Sequence, residues 1–164
     1  MAFRDGPTGI GGWLAFYLVT LGIISPLATG INLYANLYGD PATGQFYGES
    51  WPALQVTTLA VNFLLLAAVF YTVWRFFFRR NWKTVRTAIA LMWTMAVLAP
   101  LLEVAIVAVL SGVGPGALIS IMLADLVKPM IYALIWTLYL LRSTRVANTY
   151  PRQEPDEELT AVFE

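Results

Sequence analysis

Residues 117–142 form a long apolar segment, ALISIMLADLVKPMIYALIWTLYLLR, which constrains the fold more than any other part of the sequence. An α-helix rises about 1.5 Å per residue, so the segment is long enough to cross the roughly 30 Å hydrocarbon core of a bilayer. It nevertheless carries Asp125 and Lys128, which lie one helical turn apart. A charge at the centre of a spanning helix costs about 2.5–3.5 kcal/mol on insertion scales. The sequence therefore predicts a spanning helix whose charges the rest of the protein must enclose or compensate.

The composition of the whole chain is typical of a membrane protein. Hydrophobic residues make up 59% and charged residues 12% of the 164 positions, whereas soluble domains average about 45–50% and 25%. The sequence has no cysteine and no histidine, which excludes thiol chemistry and removes the commonest metal ligand, haem ligand and general base. We therefore expect no cofactor, no metal site, no enzymatic activity and no nucleic-acid partner.

The apolar segments predict an all-α polytopic membrane protein with one transmembrane domain over residues 1–150. Its four predicted spans lie at about residues 12–37, 53–78, 87–110 and 117–142. Residues 38–52 are predicted to be a loop rich in glycine, proline and aromatic residues. Residues 151–164 contain the acidic run QEPDEE and are predicted to be a disordered cytoplasmic tail.

Basic residues all fall on one side of this four-span arrangement, apart from Lys128 within a span. Nine Lys and Arg residues lie on that side, and the two opposite loops contain none. The positive-inside rule then predicts that both termini are cytoplasmic. Each basic residue near anionic lipid is worth about 1 kcal/mol, so anionic headgroups are a candidate partner. The candidate headgroup and topology residues are Arg75, Arg79, Arg80, Lys83, Arg86, Arg142 and Arg145.

A polar cluster is predicted inside the membrane. Counted from the predicted span ends, Asn62, Glu103 and Asp125 lie at similar depths, roughly 10–14 Å below the surface opposite the basic side. Lys128 lies one turn deeper. Three interpretations remain open. Asp125 and Lys128 neutralise each other while a protonated Glu103 bonds to Asn62; the cluster forms a proton relay or small polar ligand pocket; or it contacts the membrane helix of a partner subunit.

Small residues repeat along the first predicted span. Gly22, Pro26 and Gly30 are spaced by four and therefore share one helical face. We predict that this face lets a neighbouring helix pack closely and that Pro26 kinks the helix, with a ligand cleft as the alternative.

Three motifs occur in a specific order along the chain. GGWL begins at Gly11, SPL begins at Ser25, and S-x-R-V-x-x-T-Y begins at Ser143. With these motifs the chain resembles a bacterial family of small four-span inner-membrane proteins of unknown function, the YdgK-like group. The resemblance covers residues 8–150 and implies a four-helix fold in a bacterial membrane, without implying an activity. The matching positions are Gly11, Gly12, Trp13, Leu14, Ser25, Pro26, Leu27, Trp136, Tyr139, Ser143, Arg145, Val146, Thr149 and Tyr150.

Three functions are compatible with these features. The first is a non-enzymatic accessory or assembly subunit that binds a larger inner-membrane complex through its helices. The expected partners are the lipid bilayer and either other membrane-protein subunits or further copies of the chain. The alternative is a small proton- or solute-coupled transporter that uses Glu103, Asp125 and Lys128. No internal repeat is visible in the two halves of the sequence, which disfavours a transporter because many transporter folds have one. The third function is binding of a lipid or quinone between helices.

Overall fold

The computed structural model of the chain describes residues 6–39, 41–112 and 115–152. Within the last range, the side chains at positions 115, 117–122, 124 and 125 lie outside the description. The predicted acidic tail lies outside the described residues from position 153 onward. The described part of the chain contains helices and turns and no strand, which confirms the all-α prediction for those residues.

Eight α-helices and three short helical turns follow one another along the described residues. They are α1 Trp13–Val19, a π turn Thr20–Ile24, α2 Ser25–Tyr38, α3 Pro41–Tyr47, a 3₁₀ turn Gly48–Ser50, α4 Trp51–Phe78, α5 Trp82–Trp93, a second π turn Thr94–Leu98, α6 Ala99–Ser111, α7 Pro115–Arg142 and α8 Thr144–Thr149.

Three continuous helical stretches are long and apolar enough to cross a membrane. They cover Trp13–Tyr38, Pro41–Phe78 and Trp82–Ser111. These three correspond to the first three predicted spans, so the chain has the character of a membrane protein. The fourth predicted span falls on α7, a single helix of 28 residues that continues through Pro129.

The connections between spans are more helical than the sequence predicts. Within the predicted loop at residues 38–52, residues 41–50 form α3 and a 3₁₀ turn instead. Trp51 explains the order there, because its indole stacks on Tyr47 with centroids 5.8 Å apart and covers Gly44. The third stretch begins at Trp82, earlier than predicted, because the Asn81 side chain caps α5 by accepting from the Thr84 N–H at 3.1 Å.

A structural repeat relates the first and third stretches. Each contains a π turn that begins at a threonine, Thr20 or Thr94, and each has a proline six residues later, Pro26 or Pro100. A proline ring clashes with the carbonyl four residues before it, and a wider π turn at that point relieves the clash. We call α1 to α4 the first repeat and α5 to α7 the second repeat.

Burial follows the same repeat. The residues before the first π turn and those before the second π turn are buried at matching positions. The same is true of the residues near the C-terminal ends of α4 and α7, which are both helices of 28 residues. The matching buried residues are Leu14, Tyr17 and Leu18 with Ala88, Leu91 and Met92, and Val69, Thr72 and Phe76 with Ala133, Trp136 and Leu140. The fold is therefore two similar hairpins packed side by side, although the sequence shows no visible repeat.

Packing is uneven along the bundle. We call the end that carries Arg75, Arg79, Arg80, Lys83, Arg86, Arg142 and Arg145 the basic end, and we call α2, α6 and residues 51–65 of α4 the far half. Among the side chains that the structure describes, almost all of the buried core lies at or near the basic end. In the far half, α6 has no buried residue, α2 has only Leu37, and this part of α4 has only Leu54. In the described part of the chain, the basic end is therefore the more completely packed part of the bundle.

Candidate functional site

A cleft of about 190 Å³ opens in the far half. It lies between α2 and α4 of the first repeat and the π turn and α6 of the second repeat, so it occupies the contact between the two repeats. Most of the wall formed by described residues is apolar, and four of these residues have polar side chains. The residues that line it are Thr29, Thr58, Val61, Asn62, Leu65, Leu66, Met95, Ala99, Pro100, Glu103 and Ile106.

Two residues of the predicted polar cluster, Asn62 and Glu103, line this cleft together. The Asn62 side-chain amide donates to the Thr58 carbonyl at 3.0 Å rather than to Glu103. Glu103 is exposed, and among the described residues no hydrogen bond or ion pair engages its carboxylate. The cleft is thus an apolar recess with one uncompensated carboxylate and several hydrogen-bonding groups beside it.

Lys128, a third residue of the predicted cluster, is not part of this lining. Lys128 is exposed on α7. The side chain of Asp125 lies outside the described residues, so the predicted pair between Asp125 and Lys128 stays a prediction. The cleft instead contains Thr29 and Pro100, which the sequence analysis did not select. The sequence did contain a signal for Thr29, because spans one and three share a threonine followed six residues later by a proline. Thr29 and Glu103 each lie three residues after that proline, so they occupy corresponding positions.

The predicted headgroup residues divide into two groups in the structure. Arg79, Arg80, Lys83, Arg86 and Arg142 are exposed. Arg75 and Arg145 are half-buried and contact the protein itself.

Arg75 donates from Nη1 to the Thr87 hydroxyl at 3.1 Å and lies 5.8 Å from the centre of the Tyr71 ring. It therefore joins α4 to α5. Arg145 lies against Gly11, where an added Cβ would be 2.7 Å from its Nη1. Both arginines have a structural contact in addition to any contact with lipid.

The predicted packing face of the first span is used at one glycine and open at another. A Cβ added to Gly22 would lie 3.2 Å from Val73 Cγ2 of α4, so Gly22 permits a close contact between helices. No described atom lies within 4 Å of a Cβ added at Gly30. Pro26 follows the π turn at the start of α2, so the helix widens at that point instead of ending.

The residues of the third sequence motif fasten α8 across the basic end. Ser143 caps α8, and Thr149 Oγ1 accepts from the Gly9 N–H at 2.8 Å. The Tyr150 hydroxyl donates to the Phe76 carbonyl at 2.7 Å. Burial raises the pKa of the Tyr150 hydroxyl to about 12, although the nearby Arg80 charge acts in the opposite direction. We call this arrangement the α8 latch.

A buried tyrosine is a further feature that sequence reasoning missed. Tyr17 is fully buried, and its ring lies 4.9 Å from the Trp136 ring and 6.0 Å from the Phe76 ring, centre to centre. Its hydroxyl has no hydrogen-bond partner among the described residues. Tyr17 therefore joins α1 to α4 and α7 by aromatic packing.

Comparison with known proteins identifies one family. A family model described as a protein of unknown function (DUF2569) matches residues 7–151, which include every described helix. No curated protein and no solved structure matches the chain.

Proposed function

The chain belongs to the DUF2569 family of proteins of unknown function, and from this premise we propose that it is a non-enzymatic accessory or assembly subunit. In this proposal its helices bind a larger complex in the inner membrane of a bacterium. The proposal includes the finer resemblance to the YdgK-like group of four-span proteins.

Four spans with both termini in the cytoplasm are part of the same proposal. The 28 residues of α7 correspond to about 42 Å of helix, which exceeds the thickness of a hydrocarbon core. With α7 as the fourth span, the basic end lies on one side of the membrane, and the positive-inside rule assigns it to the cytoplasm.

Glu103 is the observation that carries the proposal. Its carboxylate is exposed on a spanning helix and has no partner among the described residues. An uncompensated charge on a spanning helix is unfavourable, by about 2.5–3.5 kcal/mol at the helix centre on insertion scales. A neighbouring membrane helix that offers a hydrogen-bond donor or a cation to Glu103 removes this cost, which favours association.

The family motifs also support a structural role. The residues of the third motif fasten the α8 latch, and Leu14 of the first motif is buried in the core. The exposed apolar side chains of α2, such as Leu27, Ile31 and Tyr34, provide further surface for lipid or protein neighbours. Packing and capping therefore account for these motif residues without reactive chemistry.

The test is purification from native membranes in a mild detergent, followed by sizing and identification of the bound proteins. We expect a foreign membrane protein in constant stoichiometry, and we expect Glu103→Gln to reduce its amount several-fold. Glu49→Gln is the matched control, because Glu49 is an exposed carboxylate in the connection between spans. Recovery of the chain without any foreign subunit contradicts the accessory role.

A small proton- or solute-coupled transporter is the second candidate, and one observation favours it. Transporters built from parallel repeats bind their substrates between the repeats, close to interrupted helices. The Asn62–Glu103 cleft lies between the two repeats and beside the second π turn. Proton or solute uptake by liposomes that contain only this protein, abolished by Glu103→Gln, supports transport and contradicts the accessory role.

A further inference from the structure

Two side chains of opposite charge are exposed along the described membrane helices. Glu103 lies on α6, and Lys128 lies on α7. Among the described residues, neither takes part in an ion pair or a hydrogen bond. Each charge is unfavourable when it faces lipid alone, and the two together neutralise each other if they meet.

The two charges approach the same depth. Glu103 precedes the end of α6 at Ser111 by eight residues, and Lys128 follows the start of α7 at Pro115 by thirteen. These counts correspond to about 12 Å and about 20 Å from the far end of the bundle. Side chains lean toward the N-terminus of their helix. Because α6 and α7 run in opposite directions, Glu103 leans toward the basic end and Lys128 leans toward the far end, which shortens the separation in depth.

Within one chain the two charges point in different directions. Glu103 lines the cleft that faces α2 and α4. Lys128 lies roughly a third of a turn from the α7 face that carries Ala133, Trp136 and Leu140, which pack into the core. Lys128 is therefore directed away from the bundle and is available to a neighbouring molecule.

We propose that the complex contains adjacent copies of this chain and that Lys128 of one copy enters the cleft of the next copy to bind Glu103. This inference rests on the proposed function, because it names one partner of the same cleft. Lys128 is the candidate occupant because it is the only basic side chain at this depth on the described membrane helices. Its positive charge is complementary to the Glu103 carboxylate in the cleft.

The polar groups of the cleft suit an ammonium ion. A lysine ammonium has three donors and no acceptor. The Glu103 carboxylate accepts one or two of them. The Asn62 amide nitrogen is committed to the Thr58 carbonyl, so the amide oxygen is the group left to accept another. The Thr29 hydroxyl, on the same lining, is a further acceptor.

Cysteine cross-linking tests the contact directly, because the natural sequence has no cysteine. The cysteines are placed beside the two charges so that both charges are kept. One copy carries Ala99→Cys, on the cleft lining one turn from Glu103, and a first affinity tag. A second copy carries Ile131→Cys, one turn after Lys128, and a second tag. Treatment of membranes with a short bifunctional thiol reagent is expected to give a product that carries both tags. The matched control is Met130→Cys, an exposed position on another face of α7, for which we expect at least tenfold less product. Equal yields at positions 131 and 130 overturn the inference.

Charge exchange provides a second measurement on full-length protein. Glu103→Lys alone and Lys128→Glu alone are expected to reduce self-association about tenfold or more, and co-expression of the two variants is expected to restore it. Immunoblots of the membrane fraction confirm that each variant is inserted. Asp125→Asn tests the alternative that Lys128 pairs with Asp125 of its own helix. This variant is expected to leave self-association unchanged. If Asp125→Asn, and not Glu103→Gln, weakens self-association, the assignment of Glu103 fails.

The outcomes separate this inference from the proposed function. A foreign subunit that cross-links to Ala99→Cys, without any product between copies, preserves the accessory role and overturns the self-contact. A product between copies without a foreign subunit in native membranes preserves the self-contact and contradicts the accessory role.

Discussion

The basic end and the far half of the bundle differ in how completely their side chains are covered. At the basic end, Tyr17, Phe76 and Tyr150 are fully buried and pack edge to face, with ring centres 5.2–6.0 Å apart. In the far half, Phe63 and Ile31 are 72% and 70% exposed. The same kinds of side chain therefore form a core at one end and face the surroundings at the other.

This difference indicates a division of roles along the membrane normal. Lipid is as apolar as leucine, so exposed aliphatic residues are not driven into the bundle as they are in water. Close aromatic packing, caps and hydrogen bonds are the remaining means of specifying the fold, and they are concentrated at the basic end. The far half remains open for lipid or protein neighbours, and it contains the Asn62–Glu103 cleft.

Truncation of an aromatic residue at each end tests this division with the largest expected effect. Phe76→Ala is expected to lower the free energy of unfolding by about 3–5 kcal/mol, because it leaves a cavity beneath Tyr17 and Tyr150. Phe63→Ala, on the same helix, is expected to remain within about 0.5 kcal/mol of the wild type. Unfolding by a denaturing detergent in mixed micelles measures both. Equal losses at the two positions contradict the uneven packing.

The α8 latch is expected to contribute a smaller amount that depends on pH. Tyr150→Phe leaves the Phe76 carbonyl at the end of α4 without its donor, which is expected to cost about 1–3 kcal/mol. The folded-state pKa of the Tyr150 hydroxyl, about 12, is raised above its usual value of 10.0. Its stabilisation is therefore complete below pH 10.0 and is lost as the pH rises through about 12.

Unfolding measured at a series of alkaline pH values checks this prediction. Tyr150→Phe is expected to reduce the loss of stability across this interval. Tyr34→Phe is the control, because Tyr34 is 69% exposed on α2, and it is expected to keep the wild-type pH dependence. If Tyr150→Phe keeps the wild-type pH dependence of unfolding, ionisation of the Tyr150 hydroxyl does not contribute to the loss of stability, and the prediction is wrong.

Two glycines of the first span give the smallest and sharpest comparison. Gly30→Ala meets open space and reduces the flexibility of the unfolded chain, so it is expected to stabilise the protein by about 0.5–1 kcal/mol. Gly22→Ala places a Cβ 3.2 Å from Val73, and we expect this crowding to cancel the gain. The same unfolding assay compares them. A larger gain at Gly22 than at Gly30 would contradict the close helix contact near Val73.

The sequence predicted part of the candidate site. Asn62 and Glu103 were placed at one depth by counting residues from the span ends, and they line one cleft. The same counting included Lys128, which is exposed on α7, because depth along a helix does not determine direction around it. The missed residues Thr29 and Pro100 are small or apolar, and only the approach of α2, α4 and α6 makes them part of a cleft.

The amino-acid sequence by itself determined the all-helical membrane character of the chain, three of its spanning stretches and the segregation of basic residues to one end. Hydropathy, helix length and charge are properties of consecutive residues, so they can be predicted without knowing which residues contact each other. Only the tertiary structure revealed the repeat with its two π turns, the helical connection after α2, the α8 latch and the cleft between repeats. These features depend on which helix faces approach each other, and long-range packing decides that approach.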